Sequence, residues 1–108
     1  MNETAAIDAV FCPNSIAVVG ASADPSRFGS QVLRNLQASR FPGKLFPISR
    51  STEEVCGLQP LASLRDLSQP VDLVLVSVPV QYAAATIEDS VAASASAAVI
   101  YTAGFQEV

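Results

Sequence analysis

Residues Val71-Asp72-Leu73-Val74-Leu75-Val76-Ser77-Val78 form a nearly continuous apolar run that Pro79 closes. A strand with one face in water alternates apolar and polar residues, whereas a strand of a parallel sheet covered by helices on both faces is apolar throughout. This run is of the second kind, and it commits the chain to a layered α/β architecture. Ser15-Ile16-Ala17-Val18-Val19 repeats the pattern more briefly and ends in Gly20, which reads as a buried strand delivered into a turn.

The segments between and after these two runs supply the helices. Phe28 to Arg40 places Phe28, Val32, Leu33 and Leu36 on one helical face, and Phe41-Pro42-Gly43 stops that helix. Lys44-Leu45-Phe46-Pro47-Ile48 gives a second short strand, with Pro47 placing it near an end or an edge. Thr52 to Pro70 carries Gly57, two prolines and a Leu61-Leu64-Leu67 series, and reads as a loop with one brief helix. Gln81 to Ala95 is alanine-rich, with Ile87 and Val91 four apart, which suits a helix; Ala97-Ala98-Val99-Ile100-Tyr101 then returns to strand.

The resulting order, βαβ(α)βαβ, implies a parallel sheet with right-handed crossovers, in which ligands sit outside the carboxyl ends of the strands. That rule selects residues 20–29, 49–51, 79–82 and 102–107. At 108 residues the chain has room for one domain with one core. It stops at Val108, directly after the fourth strand, where another helix and strand are expected. The expectation is therefore one domain over residues 1–108, incomplete at its C-terminus, with an exposed strand edge or apolar surface that favours self-association.

Composition excludes several function classes. Half of the residues are hydrophobic and 15% are charged, which fits covered strands and argues against disorder. The formal net charge is −4 and no basic run exists, so the chain is not expected to bind nucleic acid, whose phosphates are held by clustered Lys and Arg. Met1-Asn2-Glu3-Thr4 lacks the basic start of a secretion signal, and Asp72, Pro79 and Gln81 break the most apolar stretch before it could span a bilayer, so no membrane association and a cytoplasmic location are expected. Cys12 and Cys56 lack a CxxC spacing and suggest neither a zinc site nor a redox pair. The chain has no histidine, which removes the commonest general base, the commonest metal ligand and any phosphohistidine chemistry. No catalytic or metal-ligating residue is assigned within it, and the catalysis it belongs to lies largely elsewhere.

Within the four selected loops the residue types favour a phosphorylated ligand. Gly20-Ala21-Ser22 and Ser26-Arg27-Phe28-Gly29 lead from a strand into a helix start, where backbone N–H groups and the positive helix end suit a phosphate. The spacing matches neither GxGxxG nor GxxxxGK[ST]. An NAD-binding domain normally has Asp or Glu after strand two, to bond the ribose hydroxyls. This chain has Arg50 between Ser49 and Ser51, which suits a phosphate on the ribose: the 2′-phosphate of NADP or the 3′-phosphate of coenzyme A. Val78, Pro79 and Tyr82 offer an apolar surface and one ring for an adenine face. Thr102, Ala103, Gly104 and Phe105 offer small residues and backbone N–H groups where a chain could pass close. Plainer readings stand beside these: a strand-to-helix turn for Gly20, a solvated charge for Arg50, and a ring packed on its own helix for Tyr82.

Four ordered segments, Phe11 to Ser22, Val32 to Leu36, Val71 to Pro79 and Thr102 to Glu107, together make the chain resemble a known family. It is similar to the coenzyme-A-binding domain that opens the nucleoside-diphosphate-forming acyl-CoA synthetases, the related protein lysine acetyltransferases and the alpha subunit of succinyl-CoA synthetase. The resemblance implies an α/β, Rossmann-like parallel sheet with helices on both faces, and coenzyme A, free or acylated, as the ligand. It further implies that Gly20, Ala21, Ser22, Ser26, Arg27, Phe28 and Gly29 border the phosphates or pantetheine, and that Arg50, next to Ser49 in the candidate site, meets the ribose phosphate. Val78, Pro79 and Tyr82 would border the adenine, with Ala103, Gly104 and Phe105 toward the thiol end. The family more often shows N-P-K where this chain has Ile48-Ser49-Arg50, so the cation is kept and its neighbours are not. Partner domains carrying the phosphohistidine and the ATP-grasp fold are implied, and this domain alone would hold the coenzyme without turnover. The alternatives are an NADP-binding module of an oxidoreductase, and a regulatory domain that senses coenzyme A or a nucleotide.

Overall fold

The computed structural model describes residues 10–24, 26–51 and 53–101. In chain order these form β1 (Ser15–Val19), α1 (Phe28–Ala38), β2 (Lys44–Ile48), β3 (Leu73–Ser77), α2 (Ala83–Ala92) and β4 (Ala97–Tyr101), with single 3-10 turns at Leu64–Asp66 and Val80–Tyr82. The four strands make one sheet in the order β2-β1-β3-β4, and every pairing is parallel. This is the Rossmann-like α/β sheet expected from the sequence. Pro47 is accommodated because β2 is an edge strand, where a missing N–H need not break a ladder on both sides.

The sheet is apolar on both faces, as the continuous runs require. Ile16 and Val18 of β1 and Leu73 of β3 join Leu33 of α1 and Val55 in one buried cluster, with Leu75 and Val99 packed against it. The alternate residues, Ala17, Val74 and Val76, join Ile48, Leu64 and Val71 in a second cluster, with Val19, Val78 and Ile100 against it. α1 therefore covers one face, while α2 and the Leu64–Asp66 turn cover the other, the arrangement that right-handed crossovers on either side of β1 produce. Among the described residues, no helix is long and apolar enough to cross a membrane.

Three boundaries differ from the sequence expectation. α1 ends at Ala38 rather than Arg40: Phe41 N–H bonds Leu36 C=O at 3.1 Å, Arg40 N–H bonds Gln37 C=O at 3.0 Å, and Arg40 takes a left-handed φ of 59°. This is a Schellman closure formed without the usual glycine. The helix expected over 81–95 starts as the 3-10 turn and runs helically only to Ala92, closing the same way on Ser94 at φ 58°. Val71 and Asp72 precede β3 because they are used otherwise: Asp72 N–H bonds Ser15 Oγ at 2.9 Å and its carboxylate accepts Asn14 N–H at 2.8 Å.

The buried side of α2 also departs from its apolar spacing. Ile87 and Val91 are 41% and 74% exposed, and the helix turns Thr86 and Ser90 inward. Each hydroxyl donates to the carbonyl one turn earlier, Thr86 to Tyr82 at 3.0 Å and Ser90 to Thr86 at 2.9 Å, so both are satisfied inside the helix. On α1, Leu33 is fully buried, while Phe28 is 48% exposed and lies 5.2 Å, centroid to centroid, from the Tyr101 ring of β4.

Candidate functional site

β1 is followed by a connection leading to β2 on one side, and β3 lies on its other side, so the strand order reverses between β1 and β3. In open parallel sheets the crevice at such a reversal, beyond the strand C-termini, is where ligands enter. Gly20 stands at this point, with φ of +94° and its N–H 3.3 Å from Ile48 C=O. A Cβ on it would lie 1.9 Å from the Ser77 carbonyl oxygen, so only glycine lets the end of β1 pass against the end of β3. A Cβ on Gly29 would lie 2.7 Å from the Gly20 carbonyl oxygen and 3.0 Å from Ala21 N. The first turn of α1 thus rests directly on the backbone of the β1 turn. Arg27 at the N-cap makes no side-chain capping bond, which leaves the positive end of α1 beside the crevice.

The loop between the two glycines is braced by its own side chains. Ser30 Oγ, nearly fully buried, accepts Ser22 N–H at 3.0 Å and donates back to Ser22 C=O. Ser22 Oγ accepts Asp24 N–H at 3.0 Å, and Asp24 Oδ1 accepts both the N–H (2.9 Å) and the hydroxyl (2.8 Å) of Ser26. The backbone and hydroxyl bonds from Ser26, with a smaller contribution from Arg27, hold the Asp24 carboxyl below the usual aspartate range.

Beside this cradle is a cleft of about 500 Å³, lined by Val19, Gly20 and Ala21 from the end of β1, and by Ile48, Ser49 and Arg50 from the end of β2. Val78 follows β3, Tyr82, Thr86 and Asp89 come from the helical segment after it, and Ala62, Ser63 and Leu64 close the far wall. The volume is within the range of sites for nucleotide-sized ligands. The Arg50 guanidinium carbon lies 5.9 Å from the centroid of the Tyr82 ring, a cation–π contact that joins the ends of β2 and β3 across the mouth. Asp89 of this lining accepts a hydrogen bond from Arg65 Nε at 2.7 Å.

The sequence and the fold both have counterparts among known proteins. The sequence model described as "CoA binding domain" matches residues 14–107. This chain belongs to the CoA-binding domain family. It is 36% identical over 101 residues to the alpha subunit of acetate–CoA ligase [ADP-forming] II of Pyrococcus furiosus, covering 94% of this chain and 22% of that protein. It is 33% identical over 96 residues to acetate–CoA ligase [ADP-forming] of Methanocaldococcus jannaschii, covering 89% of this chain and 13% of the other. Among solved structures, a dinucleotide-forming acetyl-coenzyme A synthetase of Ca. Korarchaeum cryptofilum superposes with a TM-score of 0.87 at 41% identity, over 93% of this chain and 22% of that one. The cell-free ID.343 structure from Thermus thermophilus gives a TM-score of 0.74 at 28% identity, over 98% of this chain and 82% of that one. The chain thus spans less than a quarter of the length of these ligases.

Within this CoA-binding domain, the residues expected from sequence fall into three groups. Gly20, Ala21, Ser49, Arg50, Val78 and Tyr82 all line the one cleft. Ser22, Ser26, Arg27, Phe28 and Gly29 belong to the adjoining loop and helix start, and Pro79 caps the 3-10 turn that carries Tyr82. There the Ser26 hydroxyl is spent on Asp24, so it braces the loop in this conformation. Ala103, Gly104 and Phe105 lie outside the described residues. Sequence reasoning missed Val19, Ile48, Ala62, Ser63, Leu64, Thr86 and Asp89 in the cleft, and Ser30 beneath the loop. For Ser30 a signal existed: a hydroxyl residue in the first turn of a helix that follows a glycine turn is well placed to bond the backbone ahead of it.

Proposed function

We propose that this domain binds coenzyme A across the C-terminal ends of β1, β2 and β3, with the 3′-phosphorylated ribose at Arg50, the adenine in the cleft bounded by Val78 and Tyr82, and the diphosphate over Gly20 and the start of α1. The residues present suit the coenzyme. A Cβ at Gly20 or Gly29 would fill the backbone cradle, the helix end above it favours an anion, and a guanidinium stands where a bare-ribose binder would carry a carboxylate. The observation that carries the reading is the position of Arg50, a cation at the end of β2 within the cleft that the β1 turn borders.

We further propose that the domain serves a larger acid–CoA ligase that consumes ATP or GTP, with phosphohistidine-bearing and ATP-grasp domains as its partners. The related proteins are named for acetate, trans-feruloyl and 4-hydroxybutyrate chemistry, at identities of 36%, 31% and 28%. What their names have in common is coenzyme A, which supports a role in holding the coenzyme and leaves the choice of acid to other parts of the protein. The chain's own groups here position and neutralise. Arg50 balances phosphate charge, the backbone of the β1 turn and α1 orients the diphosphate, and the apolar wall of Val19, Ile48 and Val78 excludes water from one side of the ligand. Titration calorimetry with coenzyme A, paired with NADPH fluorescence, tests the reading. Saturable binding of coenzyme A without NADPH enhancement is expected, and saturable NADPH enhancement without coenzyme A binding would replace it with a nicotinamide module.

A further inference from the structure

The cleft lining also carries polar groups that a phosphate-binding role does not use. Thr86 and Asp89 of α2, with Tyr82 one turn before Thr86 in the preceding 3-10 turn, recur at helical spacing and line the cleft together with Ser63 and Leu64. Their hydrogen-bonding capacity is largely fixed by bonds already made. The Thr86 hydroxyl proton is committed to Tyr82 C=O at 3.0 Å, so Thr86 can only accept. Ser63 Oγ accepts Arg65 N–H at 3.1 Å and keeps its own proton to give. Asp89 has Oδ1 engaged by Arg65 Nε at 2.7 Å, which holds the carboxylate in one orientation and leaves Oδ2 as an acceptor. The cleft therefore also presents an acceptor and a donor, beside apolar lining from Ile48, Leu64 and Val78.

That pattern fits one edge of adenine, which offers an amino donor at N6 beside an acceptor at N1. Building on the coenzyme A reading, we propose that Asp89 and Ser63 are the base-specificity residues of the cleft. Asp89 Oδ2 accepts the exocyclic amine and the Ser63 hydroxyl donates to N1. Arg65 is a positioning residue that fixes the Asp89 carboxylate and does not touch the base. A hypoxanthine base reverses both groups, presenting an acceptor at position 6 beside an N–H, so it meets a carboxylate with a carbonyl and is rejected.

The test compares coenzyme A with its N6-deaminated, hypoxanthine-bearing analogue by calorimetry on the whole chain. The unmodified protein is expected to favour coenzyme A about tenfold, the lower end for a hydrogen bond to a charged group at a partly exposed site. Asp89→Asn is expected to bring the two ligands within about threefold of each other, because an asparagine amide can turn either its oxygen or its amino group to the base. Arg65→Gln breaks the ion pair and keeps the carboxylate, so it should weaken both ligands while preserving the preference. A purely structural role for the ion pair would instead make Asp89→Asn and Arg65→Gln behave alike. Equal affinity of the unmodified chain for the two ligands overturns the base assignment and leaves the coenzyme A site standing. Failure of both ligands to bind overturns the coenzyme A reading and this inference with it.

Discussion

Substituting Gly20 by alanine should cost the domain a large part of its stability, and the structure separates the reasons. Two penalties act together: a side chain is forced to φ of +94°, and the new Cβ lies 1.9 Å from the Ser77 carbonyl oxygen. The dihedral penalty alone is on the order of 1–3 kcal/mol. Forcing β1 and β3 apart at their ends adds about 1–3 kcal/mol, the usual range for overpacking. Together they give about 2–6 kcal/mol, a substantial share of the ~5–15 kcal/mol typical of a domain. Gly57 is the control, because it has φ of +81° but a Cβ there meets nothing within 4 Å. Gly57→Ala should therefore show only the dihedral part, about 1 kcal/mol after the entropic gain of alanine in the unfolded chain. Urea denaturation of both variants, with midpoints read at constant slope, measures the two losses. A Gly20→Ala loss no larger than that of Gly57→Ala would refute the close approach of the β1 turn to β3.

Other expectations follow from the helix ends and the braced loop. Ser94→Gly and Arg40→Gly each replace a side chain held at positive φ in a Schellman closure, at 58° and 59°, and each should raise stability by about 0.5–1 kcal/mol in the same denaturation assay. Ser30→Ala removes both bonds to Ser22 and should cost about 1–2 kcal/mol, with faster amide exchange at Ser22 as the local signature. Asp24 is held below the ordinary aspartate value by Ser26, so its support of the loop is complete above that value, about 3.9, and is lost as pH falls through the lower folded-state value. An NMR titration should show the Ser26 amide shifting with that depressed midpoint, and a midpoint at the ordinary value would contradict the bracing.

The sheet was legible because its strands are written as apolar runs bounded by Gly and Pro: β1, β2 and β4 keep the limits that Ser15–Val19, Lys44–Ile48 and Ala97–Tyr101 suggest. Their alternation with helices fixes parallel pairing, and the parallel rule brings Gly20, Arg50 and Tyr82 to one edge. The far wall of the cleft was not legible, because local periodicity carries no information about it. Ala62, Ser63 and Leu64 are drawn there by long-range backbone pairing, Ser49 N–H to Leu61 C=O at 2.9 Å and Leu61 N–H to Pro47 C=O at 3.0 Å. On α2 the apolar pair Ile87 and Val91 pointed to a face that lies outside, since hydroxyls bonded to their own helix can be buried at little cost and allow close packing. The Arg50–Tyr82 contact joins residues whose types were each noted, yet their meeting depends on the strand order β2-β1-β3.

The central claim, that Arg50 marks a ribose-phosphate site for coenzyme A, is tested most directly by calorimetry of coenzyme A against dephospho-coenzyme A at low ionic strength, on the unmodified chain and on Arg50→Ala. A charge-assisted bond to the 3′-phosphate predicts that coenzyme A binds roughly ten- to a hundredfold more tightly than the dephospho form. Added salt should shrink the difference and Arg50→Ala should remove most of it. Equal affinity for the two ligands in the unmodified chain at low salt would contradict the account, and tighter binding of NADP than of coenzyme A would put a nicotinamide dinucleotide in the cleft instead.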